Sequence, residues 1–257
     1  MEGKQLSQRI QSVEVGFHIL RRLAEAERPL TITQLAQLSE MHKSKLYRYL
    51  NSFVQLGILE QNKEDLRYSF GPELISLGLR AMGKMDVLAK STPYLLSLKE
   101  ELNETVALSI WGDHGPFFIK WEESNRLVNI GVNAGSYVPL HSATGMIFRA
   151  FLPEWVTDAI YHEEVEKGMI DPAAYAAIIQ RVQKEYFAWT EGGFIPGISA
   201  ISAPIFDATG QLKAAITVVG LTSSLEIARE AHAAQRLLEI SRSVCRSLGY
   251  NVSPDHT

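Results

Sequence analysis

The stretch HKSKLYRYLNSF, residues 42–53, restricts the possible folds of this chain more than any other segment. Leu46, Tyr49, Leu50 and Phe53 recur at i, i+3, i+4 and i+7, which on a helix gathers them on one face that can be buried. At about 100° per residue, Ser44, Arg48 and Asn51 fall on the opposite face, with Lys45 and Tyr47 on its shoulders. Between His42 and Gln55 the charges are Lys43, Lys45 and Arg48, with no acid among them. Such a helix suits the DNA major groove, where arginine grips guanine and asparagine grips adenine. A merely solvated amphipathic helix carries the same pattern, so the neighbouring segments must decide.

Those segments supply a helix-turn-helix frame. Val13, Phe17, Leu20 and Ala24, at i, i+4, i+7 and i+11, predict a first helix over residues 9–26 with these four as its apolar stripe. Arg28-Pro29-Leu30 breaks it, and Thr31 or Thr33 is placed to cap a second short helix through Leu35, Ala36 and Leu38. Residues 39–41 then turn the chain into the 42–53 helix, giving the order helix, short turn, more polar helix. Beyond Gly57, residues 58–60 and 66–70 predict a hairpin around a polar turn, the wing of a winged helix. Lys63 and Arg67 are placed there to meet phosphate, although Glu64 and Asp65 argue against deep entry into a minor groove.

Length and composition bound the rest. With 257 residues, 46% of them hydrophobic, the chain has enough for one large domain or two ordinary ones. No apolar run nears the ~20 residues that a bilayer-spanning helix needs, and residues 1–11 lack a signal-peptide core. A soluble, cytoplasmic protein with no membrane partner is expected. The single cysteine, Cys245, excludes an internal disulfide and a multi-cysteine zinc site, and its neighbours Ile240, Val244 and Leu248 mark it as a helix-packing residue. Residues 1–71 hold ten Lys/Arg against eight Asp/Glu, whereas residues 72–257 hold fifteen against twenty-one. A mildly basic head on an acidic body points to polyanion contact by the head alone.

After Pro72 a helical stretch runs to about residue 84 with Leu74, Ile75, Leu77, Leu79 and Met82, and is read as a linker helix. A helix over 87–102 and strands over 105–111, 117–121 and 127–132 follow. The segment HSATG, residues 141–145, leads into a helix ending near Phe151, and residues 153–161 and 172–189 are helical by period. Residues 198–206 and 212–219 form a hairpin about Ala208-Thr209-Gly210, and a long helix over 225–248 closes the chain. The expected fold class is α+β: an N-terminal winged helix-turn-helix domain (1–71), a linker helix (72–86) and a C-terminal mixed sheet flanked by helices (87–257). The last resembles the cupped GAF and PAS sensor folds.

In this order the residues resemble the IclR family of transcriptional regulators, from about Ser12 to Gly249. The resemblance is carried by Ser12-Val13-Glu14 with Ile19-Leu20, Leu30-Thr31 with Leu35-Ala36, Lys43-Ser44 and Arg48, and Leu56-Gly57. It continues through Tyr68 with Gly71-Pro72, Pro139-Leu140-His141 with Gly145, and Gly197 with Ala203-Pro204-Ile205 and Gly210. Lys45 stands where the family usually has threonine, Met146 replaces a common lysine, and residues 191–196 replace a more acidic loop. The resemblance implies a homodimer or homotetramer that binds a palindromic double-stranded DNA operator, with the N-terminal and linker helices as dimer contacts, and that senses a small organic or aromatic acid.

Arg48, Lys45 and Ser44 are assigned to the groove, with Tyr47 and Asn51 as further candidates, and Thr31, Thr33, Lys43 and Arg67 to phosphate. Matching the family's pocket positions one by one selects Leu127, Ile130, Val138, Thr144, Gly145, Thr190, Ile198, Ala200, Thr217 and Val219 for the effector. The N–H groups at 142–145 begin a helix, where a carboxylate is favoured, and Thr144 and Thr217 offer hydroxyls. A wall without lysine or arginine favours a mostly hydrophobic acid or phenol. Trp111 is expected to face it, and His141 to satisfy the turn.

The expected function is a DNA-binding regulator, acting as a repressor, under control of a carboxylic or aromatic metabolite. A DNA-located protein-interaction module is the alternative. An enzyme is least supported, since no Gly-x-Ser-x-Gly, His-Glu-x-x-His, phosphate loop or Cys-x-x-Cys occurs and no cofactor is called for.

Overall fold

A computed structural model describes residues 10–26, 28–83, 86–126, 135–193 and 195–250. The chain divides into two compact units, Met1–Lys84 and Met85–Thr257.

In the first unit, α1 (Gln11–Glu25), α2 (Ile32–Leu38) and α3 (Lys43–Gln55) enclose Ile19, Leu23, Leu35, Leu46 and Leu50. The expected stripe of α1 is corrected: Val13 and Phe17 are 53% and 60% exposed, while Gly16, Ile19 and Leu23 are buried. Gly16 is the reason, because the position a Cβ would take lies 3.1 Å from Cζ of Phe53 on α3. The helix therefore turns its glycine, not its phenylalanine, toward α3. At its end, α3 closes with the N–H groups of Gly57 and Ile58 donating to Val54 O and Phe53 O, and Gly57 takes the left-handed φ of +68° that this turn requires. Strands β1 (Leu59–Gln61) and β2 (Tyr68–Phe70) pair antiparallel, and Leu30 bridges to Tyr68. On α4 (Pro72–Gly83), Ile75, Leu77 and Leu79 are all exposed.

The second unit begins with α5 (Asp86–Leu102) and centres on five strands: β3 (Thr105–Gly112), β4 (Gly115–Glu122), β5 (Ala188–Glu191), β6 (Ile198–Phe206) and β7 (Leu212–Leu221), in the order β4-β3-β7-β6-β5. Every described pairing is antiparallel, whereas a mixed sheet is expected from sequence; β3–β4 and β6–β7 are hairpins, which need no crossover. On one face, α5 and α9 (His232–Ser247) bury Leu95, Leu98, Leu237 and Val244 with Val106, Leu108 and Ile216. On the other, α6 (Ala143–Phe151) and α8 (Pro172–Glu185) bury Ile147, Phe148 and Val182 with Ala188 and Ala215, and α7 (Glu154–Glu166) adjoins α6.

Two further expectations are corrected. The helix predicted over 172–189 stops at Glu185; Tyr186 takes φ of +54°, and Ala188–Glu191 pairs with β6 because Phe187 and Ala188 enter the core from there. The last helix begins at His232 rather than 225, and Leu225 is buried on the irregular run before it. The strand expected over 127–132 lies outside the described residues. Cys245 is buried on α9 as expected, its Sγ accepting the Phe206 N–H at 3.2 Å, and burial pushes its thiol pKa up. Among the described residues, no helix is long and apolar enough to cross a membrane.

Candidate functional site

The first candidate is the outer face of α3. Its inner residues Leu46 and Leu50 are fully buried, fixing the helix about its axis. Lys43, Ser44, Lys45, Tyr47, Arg48 and Asn51 are consequently all exposed. No ion pair with a described residue occupies Lys43, Lys45 or Arg48, in contrast to Arg22 and Arg126, which pair with Glu25 and Glu104. These three cations are available to a polyanion.

The flanking candidates divide. Thr31 is half-buried and committed to capping α2: its N–H and hydroxyl donate to Gln34 Oε1 at 3.0 and 3.1 Å, and Oγ1 faces the Gln34 N–H at 3.4 Å. Thr33, in the first turn of α2, is exposed. Arg67 is tied down, donating to Pro29 O at 3.1 Å and pairing with Asp65 at 3.2 Å, so it braces the hairpin rather than standing free like Arg48.

The second candidate is a cavity between the sheet and α6 that opens to solvent. Pairing explains its floor. Trp121, Ala107, Thr217, Ser202 and Ala188 are successive partners across all five strands and so share one face. Two residues along, Thr105, Val219, Ala200 and Thr190 form a second row on that face. Val138, Ser142, Ala143 and Thr144 form the opposite wall.

Seven of the sequence-expected residues line this cavity: Val138, Thr144, Thr190, Ile198, Ala200, Thr217 and Val219. Leu127 and Ile130 lie outside the described residues. Gly145 does not line it; it lets the 139–140 turn pack against α6, since a Cβ there would lie 2.2 Å from Pro139 O and 2.4 Å from Leu140 Cα. Trp111 is corrected. It shares the sheet face but reaches α6 at Phe148, ring centroids 5.8 Å apart, about 6 Å further along the helix than Thr144.

Sequence reasoning placed the backbone of 142–145 at the site but missed Phe118, Trp121 and Ile195. Phe118 and Trp121 share a face although three apart, because the β3–β4 register slips at Ser109, leaving Ile119 without a partner. No period-two reading of β4 reveals that.

The polar equipment is specific. Ser142 caps α6, its Oγ accepting the Gly145 N–H at 3.0 Å and donating to Pro139 O at 2.7 Å. The first N–H groups of the helix, on Ala143 and Thr144, are left without intrahelical partners at its positive end. Thr144 Oγ1 and Thr217 Oγ1 lie 2.7 Å apart, and Thr217 Oγ1 lies 2.9 Å from Ser202 Oγ, which donates to Ile216 O at 3.1 Å. With the Ile216 carbonyl as terminal acceptor, Thr217 donates to Ser202 and Thr144 to Thr217. The hydroxyls expected to donate to a ligand thus spend their protons on each other. His141 serves the turn, as expected: its Nδ1 lies 2.8 Å from Glu164, whose carboxylate also accepts the Leu140 N–H at 2.7 Å.

Comparison with known proteins identifies the assembly of these parts. Residues 12–63 match the IclR helix-turn-helix domain, and residues 79–246 match the domain described as bacterial transcriptional regulator IclR C-terminal. The chain is 36% identical to Pseudomonas aeruginosa HmgR, whose crystal structure it matches over 95% of this chain and 100% of that one with a TM-score of 0.63. It is 23% identical to the transcriptional repressor IclR of Escherichia coli over 93% of this chain and 90% of that protein. An IclR homologue from Microbacterium hydrocarbonoxydans, solved in complex with 4-hydroxybenzoate, shares the fold at 16% identity and a TM-score of 0.78, covering 92% of this chain and 98% of that one. Relatives that regulate transcription set aside the enzyme reading of the cup. The chain belongs to the IclR family of bacterial transcriptional regulators.

Proposed function

We propose that this regulator binds a palindromic operator through α3 of two copies and represses transcription until a small organic metabolite, carboxylic or aromatic, enters the cavity beneath α6. The observation that carries the reading is the set of unpaired cations Lys43, Lys45 and Arg48 on the outer face of a helix anchored by Leu46 and Leu50. Arg48, Lys45 and Ser44 read bases, with Tyr47 and Asn51 beside them, and Lys43 and Thr33 meet phosphate. Residues 1–71 serve as the DNA-binding part, 72–86 as linker and 87–257 as effector and assembly part. Dimerisation draws on two apolar faces that their own unit leaves exposed, Ile10, Val13 and Phe17 around α1, and Ile75 and Leu79 on α4. The repressor of Escherichia coli and the 4-hydroxybenzoate complex support the sign of control and the ligand class.

A carboxylate fits the N–H groups of Ala143 and Thr144 at the start of α6, and Phe118, Val138, Ile198 and Val219 suit an apolar body. The test is a thermal-shift screen of the purified protein against aliphatic and aromatic acids. A ligand at ~100 times its dissociation constant adds ~2.7 kcal/mol, a readable shift. Thr217→Val breaks the hydroxyl chain and leaves Thr144 and Ser202 without a shared partner, costing about 1–3 kcal/mol of stability without ligand. The same variant is expected to abolish or weaken the ligand shift. A folded protein that answers to no acid in the screen contradicts the effector reading.

A further inference from the structure

Strand β5 accompanies β6 only from Ser199 to Ser202, whereas β6 runs on to Phe206. Among the described residues no strand flanks the outer edge of 203–206. Two backbone groups there are served by α9 instead. The Ser241 hydroxyl donates to Pro204 O at 2.6 Å, and the Phe206 N–H donates to Cys245 Sγ at 3.2 Å. Side chains cover an edge less completely than a strand does, and a crevice remains between α9 and the end of α8. It is lined by Tyr186, Phe206, Leu238 and Tyr250, with Glu185 and Arg242 beside them. It shares no residue with the cavity beneath α6.

The buried part of the crevice is apolar, and its polar atoms are already spent on the edge of β6. Phe206 is flanked by the rings of Tyr186 and Tyr250, centroids 6.0 and 5.4 Å away. An apolar side chain entering there removes its own surface and that of the rings from water. The charges stand further out: Glu185 is exposed and Arg242 half-buried, and no other charged residue belongs to the lining. Neither side chain is ion-paired, to the other or to any described residue, whereas Arg236 on the same helix engages Glu101 and Glu239. A simple anion would meet Arg242 but be repelled by Glu185, and a simple cation the reverse. A ligand with both charges on one carbon and an apolar group beside them satisfies every part of the lining. We propose that this crevice is a second small-molecule site, for a hydrophobic α-amino acid. The side chain lies among Tyr186, Phe206 and Tyr250, the carboxylate meets Arg242 and the ammonium meets Glu185. The regulator thereby gains an input that does not depend on the effector reading given above.

The test is calorimetry on the full chain with L-phenylalanine and L-leucine. The analogues lacking the ammonium are 3-phenylpropionate and 4-methylpentanoate; those lacking the carboxylate are phenethylamine and isopentylamine. At least one amino acid is expected to bind wild type, about fivefold or more tighter than either of its own analogues. Glu185→Gln should weaken that amino acid about fivefold and leave the analogue without ammonium no weaker. Arg242→Gln should weaken it by a similar factor and leave the amine no weaker. Both positions lie toward solvent without a described ion-pair partner, so both variants are expected to melt like wild type. The comparison of analogues on wild type needs neither variant. Binding of neither amino acid overturns the proposal, as does equal binding of an amino acid and its analogues. Binding that both variants leave unchanged places the ligand elsewhere, the cavity beneath α6 included, and overturns it too.

Discussion

Gly145→Ala is expected to cost the C-terminal unit about 3 kcal/mol or more and to lower its melting temperature by roughly 6–12 °C. The new methyl group would sit 2.2 Å from Pro139 O, 2.4 Å from Leu140 Cα and 2.7 Å from Leu140 C, all backbone atoms that cannot rotate away. Nor is the 139–141 turn free to retreat. Glu164 accepts the Leu140 N–H, the Tyr175 hydroxyl donates to Leu140 O at 2.6 Å, and Ser142 donates to Pro139 O. Burial, first, and the neighbouring Glu164 hold the Tyr175 hydroxyl far above its ordinary pKa, so it remains a donor at every working pH. The helix start must move instead, and with it Ala143 and Thr144, which line the cavity. Gly193→Ala supplies the control, because that glycine is exposed with nothing within 4 Å and should change stability by no more than about 0.5 kcal/mol. Thermal melting of the three proteins checks both statements, and equal melting temperatures would show that the turn yields where its hydrogen bonds say it cannot.

Arg48→Ala is expected to weaken specific DNA binding by about 1–3 kcal/mol per half-site and to relax preference at one base pair. Two copies on a palindrome double the loss, making this the larger effect on function. Lys43→Ala should act differently. A phosphate contact carries no sequence, so binding falls evenly across all duplexes and the salt slope drops by about one unit for each contact removed. Arg67→Ala should change the salt slope little and stability slightly, since its guanidinium already engages Pro29 O and Asp65. Titrations at several salt concentrations separate the three roles, and indistinguishable behaviour of the three variants would refute the assignment.

The inner face of α3 was legible because four apolar residues recur at helical spacing, and the two fully buried ones sit where that spacing puts them; its outer face took the neighbouring segments to interpret. The first helix was legible in extent and wrong in rotation. Val13 with Phe17 and Ile19 with Leu23 both keep a helical period, and the choice between them was made by a glycine meeting Phe53, a contact far away in sequence. Thr190, Ile198, Ala200, Thr217 and Val219 were placed on the cavity by family resemblance, and alternation along paired strands accounts for them physically. Trp121 escaped because a bulge at Ile119 shifts its face by one residue, whereas Trp111, on the same sheet face, meets Phe148 further along α6.

Selection from a random-sequence duplex pool tests the central claim most directly. Wild-type protein should enrich an inverted repeat whose half-sites lie about one helical turn apart or a multiple of it, and Arg48→Ala should lose the preference at one position of each half. A pool that emerges without sequence enrichment, or one that Arg48→Ala enriches identically, would contradict the account of α3 as the element that reads DNA.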